Sequence, residues 1–157
     1  MLKLPENKTR KKLRITQCVL YLILVFLCTC SYVKFPNPQQ LGVYEHRTVL
    51  DMLEYFFGGT FPDIPASTAF QAYIPFYFIF PVIPTVGFFF CALDKERNMK
   101  NIVSLLCCLL GVLSILLIVT LNFIDIGSML SLLVYILVSF ITTIAIMARI
   151  VDNSKKN

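Results

Sequence analysis

Residues 69–93 read AFQAYIPFYFIFPVIPTVGFFFCAL, an uncharged stretch that is interrupted by Pro75, Pro81 and Pro84. A helix of about 20 apolar residues is long enough to cross the hydrocarbon core of a membrane. Three further apolar stretches of similar length lie around it, at residues 15–33, 101–124 and 126–150. The sequence therefore predicts an all-α integral membrane protein whose fold is a bundle of four transmembrane helices.

The length and composition predict a single domain. The chain has 157 residues, of which 57% are hydrophobic and 15% are charged. Its longest polar segment, residues 34–68, is shorter than the roughly 50 residues that a separate soluble domain usually needs. We therefore predict one membrane domain that covers residues 1–157.

The basic residues are distributed unevenly along the chain. Of the 14 lysines and arginines, 12 lie in residues 1–14, 94–101 and 149–157, and only Lys34 and Arg47 lie between the first two spans. Because basic residues stay on the cytoplasmic side, the pattern predicts an N-in, C-in topology. The predicted cytoplasmic segments are 1–14, 94–100 and 151–157. We expect a multi-pass protein of the bacterial inner membrane.

The basic N-terminal segment is also expected to contact anionic lipid headgroups of the bilayer. Each basic residue near the surface is attracted to such lipid by roughly 1 kcal/mol. The residues concerned are Lys8, Arg10, Lys11, Lys12 and Arg14. A net charge of +5 could also indicate nucleic acid, but no supporting fold accompanies it, so direct binding of nucleic acid is not expected.

The outer segment holds a short amphipathic helix between loops. Thr48, with Asp51 three residues on, is typical of a capping box, and Gly58 and Gly59 supply a stop. A helix of this length is too short to span, so it is predicted to lie in the outer interface. Its apolar residues are Val49, Leu50, Leu53, Phe56 and Phe57. This helix forms either a lid over the ends of the spans or a sensor or docking surface. His46, just before it, is expected to be solvated.

Pro81 and Pro84 predict a bend in the second span. A proline inside a helix removes a backbone hydrogen bond and clashes with the carbonyl four residues earlier. The carbonyls of Tyr77 and Phe80 should thus lack helical donors near the middle of the membrane. The bend is either a structural kink or a hinge that serves gating or a small ligand.

Small and polar residues form stripes on the third and fourth spans, and such stripes allow close approach of helices in a membrane. The residues are Ser104, Cys107, Gly111 and Ser114 on the third span, and Ser128, Ser131, Ser139 and Thr142 on the fourth. We interpret both stripes as packing surfaces through which subunits oligomerise. An aqueous path through an oligomer is the alternative. Asp125 is placed to cap the fourth helix.

Motifs for catalysis, cofactors or metals are absent from the sequence. The apolar cores of the four spans contain no ionisable Asp, Glu, Lys, Arg or His, which disfavours an ion-coupled transporter. The six cysteines form no C-x-x-C pair, and no cluster of His, Cys and carboxylates suggests a metal site. We therefore expect a non-enzymatic protein without a cofactor.

In size, helix number and N-in, C-in topology, the chain resembles KwaA, the membrane subunit of the bacterial anti-phage system Kiwa. The resemblance covers the whole chain at the level of architecture and carries no site residues over. It implies a membrane sensor that works with a cytosolic effector partner. The expected function is thus a membrane subunit that oligomerises and anchors or signals to a cytosolic or membrane protein partner. The alternatives are a small channel or transporter subunit with a proline hinge, and an immunity or assembly factor for another membrane protein.

Overall fold

The computed structural model describes residues 8–36, 40, 42–58, 74–94, 99–120 and 123–154. Its helices are α1 (Lys8–Leu27), α2 (Val49–Phe56), α3 (Ile79–Leu93), α4 (Met99–Ser114) and α5 (Ile126–Ser154), and its strands are β1 (Val33–Pro36) and β2 (Tyr44–Arg47). A 3-10 helix, Ile74–Phe78, leads into α3, and a π-helix, Ile115–Val119, continues α4.

Four of these helices form a closed bundle. Both α1 and α4 pack against α3 and α5, so α1 and α4 lie across the bundle from each other. Three helical segments are long and apolar enough to cross a membrane: Ile74–Leu93, Met99–Val119 and Ile126–Ser154. The prediction of a largely helical membrane protein is confirmed to this extent.

The first helix differs from the predicted first span at both ends. α1 begins at Lys8, so its first two turns carry basic residues, and it ends at Leu27 rather than near Val33. Lysine and arginine are good helix formers, which allows the helix to extend into the predicted tail. After Leu27, the amide groups of residues 28–30 donate to carbonyls three residues earlier, a tightening that is common where helices end.

A small antiparallel sheet corrects the all-α prediction for the outer segment. Val33 pairs with Arg47 and Pro36 with Tyr44, where the sequence predicted a loop. The amide of Lys34 also donates to the carbonyl of Phe123, 3.0 Å away. The hairpin is therefore attached to the chain just before α5, and we call this side of the bundle the hairpin end.

The short helix α2 follows the hairpin and has the predicted cap. Thr48 Oγ1 accepts the amide of Asp51 at 3.1 Å, and Asp51 Oδ2 accepts the amide of Thr48 at 2.8 Å. Gly58 has a φ of +104° just after the helix, a conformation that glycine tolerates best. Gly59 lies outside the described residues.

The predicted apolar face of α2 divides into two sets. Val49 is buried in the core and Leu53 is half-buried, whereas Leu50, Phe56 and Phe57 are exposed. Met52, which the sequence analysis did not single out, is also fully buried. The helix is therefore seated on the bundle by Val49 and Met52, and its exposed apolar side chains remain available for a membrane interface.

The two prolines of the second span are not equivalent. Pro84 lies in the interior of α3, as predicted, and it leaves the carbonyl of Phe80 without the usual donor. Pro81 lies in the first turn of α3, where the amides have no helical partner in any case. The α-helix begins only at Ile79, directly after the 3-10 helix, so Pro81 lies at its start and not in the helix interior that the sequence predicted.

Replacing Pro84 with Ala is expected to stiffen this helix, because the new amide can donate to the carbonyl of Phe80. Spin labels at the exposed positions Phe76 and Leu93 would measure the effect as a narrower distribution of distances. Pro81→Ala is the matched control and should leave the distribution unchanged. Equal changes in the two variants would show that the interior position of Pro84 is unimportant.

Candidate functional site

The carboxylate of Asp125 joins three elements at the hairpin end. Its Oδ2 accepts the hydroxyl of Ser31 and lies 2.6 Å from Nδ1 of His46, and its Oδ1 accepts the amide of Ile126 at 2.9 Å. Ser31 follows α1, His46 lies in β2, and Ile126 begins α5. We call the set Ser31, His46 and Asp125 the Asp125 junction.

The charge of Asp125 is stabilised by this arrangement. Burial alone would raise the pKa of this carboxyl, but the hydrogen bonds from Ser31, His46 and the Ile126 amide, with the charge of His46, outweigh burial and lower the pKa. The predicted cap of the last helix is thus confirmed, and it has two further partners that the sequence analysis did not foresee. Asp125 is therefore held as an anion at the start of α5.

His46 has a role that the sequence analysis missed. Its side chain is 56% exposed, yet it forms the contact with Asp125, so the expectation of a merely solvated histidine is wrong. The two residues are 79 positions apart, and no local pattern could pair them. The pairing of His46 with Asp125 arises only because the fold brings the hairpin beside the N-terminus of α5.

A second contact seats α5 on the segment that follows α1. The amide of Gly127 donates to the carbonyl of Ser31 at 2.7 Å. A Cβ atom at Gly127 would lie only 2.6 Å from that oxygen, so only glycine fits this approach. The N-terminus of α5 is therefore fixed at the Asp125 junction by both side-chain and backbone contacts.

Two tyrosine–glycine contacts hold the middle of the bundle. A Cβ atom at Gly87 in α3 would overlap the ring of Tyr21, and one at Gly111 in α4 would overlap the ring of Tyr135. Both rings are buried. The glycines thus provide the space for two of the largest buried side chains of the core, as small residues do in membrane helix interfaces.

A buried polar network joins all four helices of the bundle. Gln17 Nε2 donates to Thr142 Oγ1 at 2.8 Å, and the hydroxyl of Tyr21 donates to Ser104 Oγ at 2.9 Å. The thiol of Cys91 lies 3.5 Å from Ser104 Oγ and 3.9 Å from Gln17 Oε1. Polar groups in a bundle interior hold helices together when they are paired in this way.

The small-residue stripes pack helices of the same chain against one another. The members of both stripes that are buried in the core are Ser104, Cys107, Gly111, Ser128, Ser131 and Thr142, and Ser114 and Ser139 are half-buried. The prediction that they pack helices is correct for the buried members. The proposal that these residues join subunits is wrong for them, because helices of the same chain already cover them.

The basic residues of α1 also divide into two sets. Lys8, Lys11 and Lys12 are exposed, as expected for contact with headgroups. Arg10 is buried and its Nε lies 3.1 Å from Oδ2 of Asp152 near the end of α5. Arg14 Nη1 donates to the carbonyls of Cys91 and Ala92 at the end of α3, at 3.3 and 3.4 Å. We call this side of the bundle, where α1 begins and α5 ends, the terminal end.

The titratable groups of this protein form no recognisable catalytic or metal-binding constellation in the part of the chain that the structure describes. In that part, no group of three His, Cys, Asp or Glu residues lies close enough together to hold a metal ion. The six cysteines are free thiols. No protein family, curated protein or solved structure matches the chain. The Asp125 junction, with its fixed anion and its histidine partner, is the candidate site at the hairpin end.

Acid is expected to weaken this junction. Because the pKa of Asp125 is lowered in the folded protein, its stabilising contribution is present above the ordinary pKa and is lost as the pH falls through the lowered value. The unfolding temperature should therefore fall more steeply below about pH 4 in the wild type than in Asp125→Asn, whose side chain does not titrate. Thermal unfolding in detergent at neutral and acidic pH measures this, and parallel curves would contradict it.

Proposed function

We propose that the chain is a non-enzymatic membrane subunit with four spans, N-in and C-in, that couples its hairpin end outside the membrane to a protein partner inside. Three apolar helices support the membrane location. A further support for α1 as the fourth span is its exposed apolar face, which contains Val19, Leu22, Ile23 and Phe26. Such a face is unfavourable in water and is suited to lipid.

The main support for this proposal is that α5 is one unbroken helix. Its 29 residues span about 43 Å, which exceeds the roughly 30 Å of a bilayer core. One end is fixed by Asp125, and Asp152 near the other end contacts Arg10. A displacement of the hairpin is therefore coupled through one helix to the basic surface at the terminal end.

The sidedness rests on the distribution of basic residues. The basic residues of the terminal end are Arg10, Arg14, Lys100 and Arg149. Those of the hairpin end are Lys34 and Arg47, and Nη2 of Arg47 lies 2.9 Å from Oε2 of Glu45. The positive-inside rule supports a cytoplasmic location for the terminal end. In this proposal the hairpin and α2 lie outside the inner membrane of a bacterium.

The partner is a cytosolic protein that binds the terminal end, or another membrane protein, and the subunit acts as a homo-oligomer. The resemblance to KwaA favours a sensor in an anti-phage defence complex, with the hairpin end as the sensing surface. Exposed apolar side chains such as Phe140 remain for contacts between subunits, since the small-residue stripes pack helices within one chain. A channel or transporter subunit remains the alternative function, with Pro84 as its hinge.

Purification from native membranes in mild detergent tests the proposed function. We expect a soluble protein to co-purify in stoichiometric amount. The variant Asp125→Asn should retain this partner, but cells that carry it should lose the defence response. Ion or solute flux by the lone chain in liposomes, with no stoichiometric partner, would overturn the proposal in favour of the channel. The exposed variant Leu50→Ala serves as a control that leaves the Asp125 junction intact.

A further inference from the structure

Three phenylalanine rings form an exposed cluster at the hairpin end. Phe56 and Phe57 come from the C-terminal end of α2, and Phe78 is the last residue of the 3-10 helix that leads into α3. The centroids of the Phe56 and Phe57 rings are 5.4 Å apart, and they lie 5.8 and 5.7 Å from that of Phe78. All three side chains are exposed, and Phe57 is the most exposed at 74%. We call these three residues the aromatic cluster.

The aromatic cluster joins α2 to the start of the second span. Its three ring pairs meet edge to face, at interplanar angles of 69°, 90° and 87°, an arrangement that aromatic rings favour. The contacts connect two elements that are separated in the chain, and they lie on the outside of the bundle. Contiguous exposed apolar surface of this kind marks a site of interaction with a membrane or a protein. The depth of the rings decides between these two partners.

The length of α3 sets the depth of Phe78. The 15 residues of Ile79–Leu93 extend about 22 Å, which is less than the roughly 30 Å of a hydrocarbon core. The core cannot continue far beyond Leu93, because the charged residue Asp94 follows it. About 8 Å must therefore come from the preceding 3-10 helix, which rises about 2 Å per residue. Phe78 ends that helix, so its ring lies within the hydrocarbon core, close to the outer boundary.

The rings of Phe56 and Phe57 lie at the same boundary, because both contact the ring of Phe78. Below Phe78, the exposed side of the same span continues with Val82 and Val86. The aromatic cluster is thus continuous with the outer surface of a helical segment that is long and apolar enough to cross a membrane. This continuity favours lipid over a soluble protein as the partner.

The charges of α2 limit how much of this helix enters the lipid. Leu50, Glu54 and Phe57 are all exposed and, at spacings of four and three residues, share one face. A helix that lay flat on this face would carry the Glu54 carboxylate into the hydrocarbon, which is unfavourable. Only the C-terminal edge of the helix, with Phe56 and Phe57, can enter without this cost. Leu50, one turn before Glu54, stays outside the hydrocarbon.

We propose that the aromatic cluster inserts into the outer leaflet of the bilayer, at the boundary between headgroups and acyl chains. The inference rests on the proposed membrane function, which puts this end of the bundle on the outer side. The partner is the acyl-chain region rather than a particular headgroup, because α2 contains Asp51 and Glu54 and no basic residue. Zwitterionic phosphatidylcholine should therefore serve as well as an anionic lipid.

Insertion would hold α2 from a second side. Val49 and Met52 are buried and seat the helix on the bundle. Lipid around Phe56 and Phe57 would hold its C-terminal end, and the Phe78 ring ties that end to the second span. The N-terminal end, which follows β2, would remain with the hairpin outside the hydrocarbon.

Tryptophan fluorescence tests the insertion, because the chain contains no tryptophan of its own. Full-length Phe57→Trp, Leu50→Trp and Val82→Trp are each reconstituted in phosphatidylcholine vesicles with or without bromine on the acyl chains, since bromine quenches tryptophan only at close range. Both leaflets carry the bromine, so the result does not depend on the orientation of the chain. Val82 is exposed in the middle of the second span and is the reference for a side chain in lipid.

We expect Phe57→Trp to lose fluorescence in brominated vesicles nearly as strongly as Val82→Trp does. Leu50→Trp carries the same new ring on the same helix and should keep most of its fluorescence. Replacing part of the phosphatidylcholine with phosphatidylglycerol should leave these results unchanged. If Phe57→Trp does not elute as a monodisperse species, Phe56→Trp replaces it and should behave in the same way.

The same three variants separate the ways in which the account could fail. Fluorescence that Phe57→Trp keeps while Val82→Trp loses it would place the cluster in water, which overturns the insertion and leaves the proposed membrane function standing. Equal quenching of Leu50→Trp and Phe57→Trp would overturn insertion by one edge of the helix. An unquenched Val82→Trp would mean that the span is not in lipid, and the proposed function would then fail together with the insertion.

Discussion

Gly111→Leu is expected to separate α4 from α5 and to lower the free energy of unfolding by about 3 kcal/mol or more. A Cβ atom at Gly111 would overlap the ring of Tyr135, which is buried in the core. The six free cysteines provide the measurement, because several of them are buried and react with a thiol-specific dye only as the protein unfolds. The unfolding temperature by this assay should fall strongly in the variant.

The same helix offers a matched control for this prediction. Leu109 is exposed on α4, so Leu109→Phe enlarges a side chain on the outer surface of the bundle and should leave the unfolding temperature nearly unchanged. Adding Tyr135→Ala to Gly111→Leu should restore part of the loss, because the two side chains compete for one space. If Gly111→Leu unfolds at the wild-type temperature, the tyrosine–glycine contact does not hold the bundle.

Met52→Asp is expected to detach α2 from the bundle. Met52 is 0% exposed, and a carboxylate in its place would lose several kcal/mol of solvation without a partner. Because α2 is only eight residues long, we expect it to leave its seat while the bundle remains folded. The amide of Val49 donates to the carbonyl of Cys28 at 3.1 Å, so detachment should uncover the buried Cys28 thiol.

Labelling of Cys28 by a polar maleimide measures this detachment. The experiment uses a Cys30→Ser background, since Cys30 is half-buried nearby and would add its own signal. Leu50→Asp places the same charge on the same helix at a side chain that is 54% exposed, and it should leave Cys28 protected. Equal labelling in the two variants would mean that Met52 does not anchor the helix.

Local patterns predicted the parts of the fold that depend on local contacts. The capping box of Thr48 and Asp51 involves residues three positions apart, and its hydrogen bonds have the expected geometry. Gly111 was predicted at a helix contact because small residues in a membrane helix permit close approach. The ring of Tyr135 fills this space. Tyr135 belongs to α5, the helix that follows α4 in the chain, so the contact is between consecutive helices.

The features that sequence reasoning missed depend on contacts between distant segments. The strands of the hairpin have only four residues each, too few for a clear alternation, and Val33 also forms a bridge to Ile124. The contact between His46 and Asp125 requires the same docking of the hairpin. Arg10 was interpreted as a topology signal because its charge is evident in the sequence, whereas its burial follows from the packing of α1 on α5.

Substituted-cysteine labelling in intact spheroplasts tests the central claim most directly, namely that the hairpin lies outside and the end of α5 inside. Tyr44 in β2 and Asn153 in α5 are both exposed, and each is replaced by Cys in a background without the six native cysteines. A membrane-impermeant maleimide should label Tyr44→Cys in intact spheroplasts and Asn153→Cys only after the membrane is permeabilised. Labelling of both positions in intact spheroplasts, or of Asn153→Cys alone, would contradict the account.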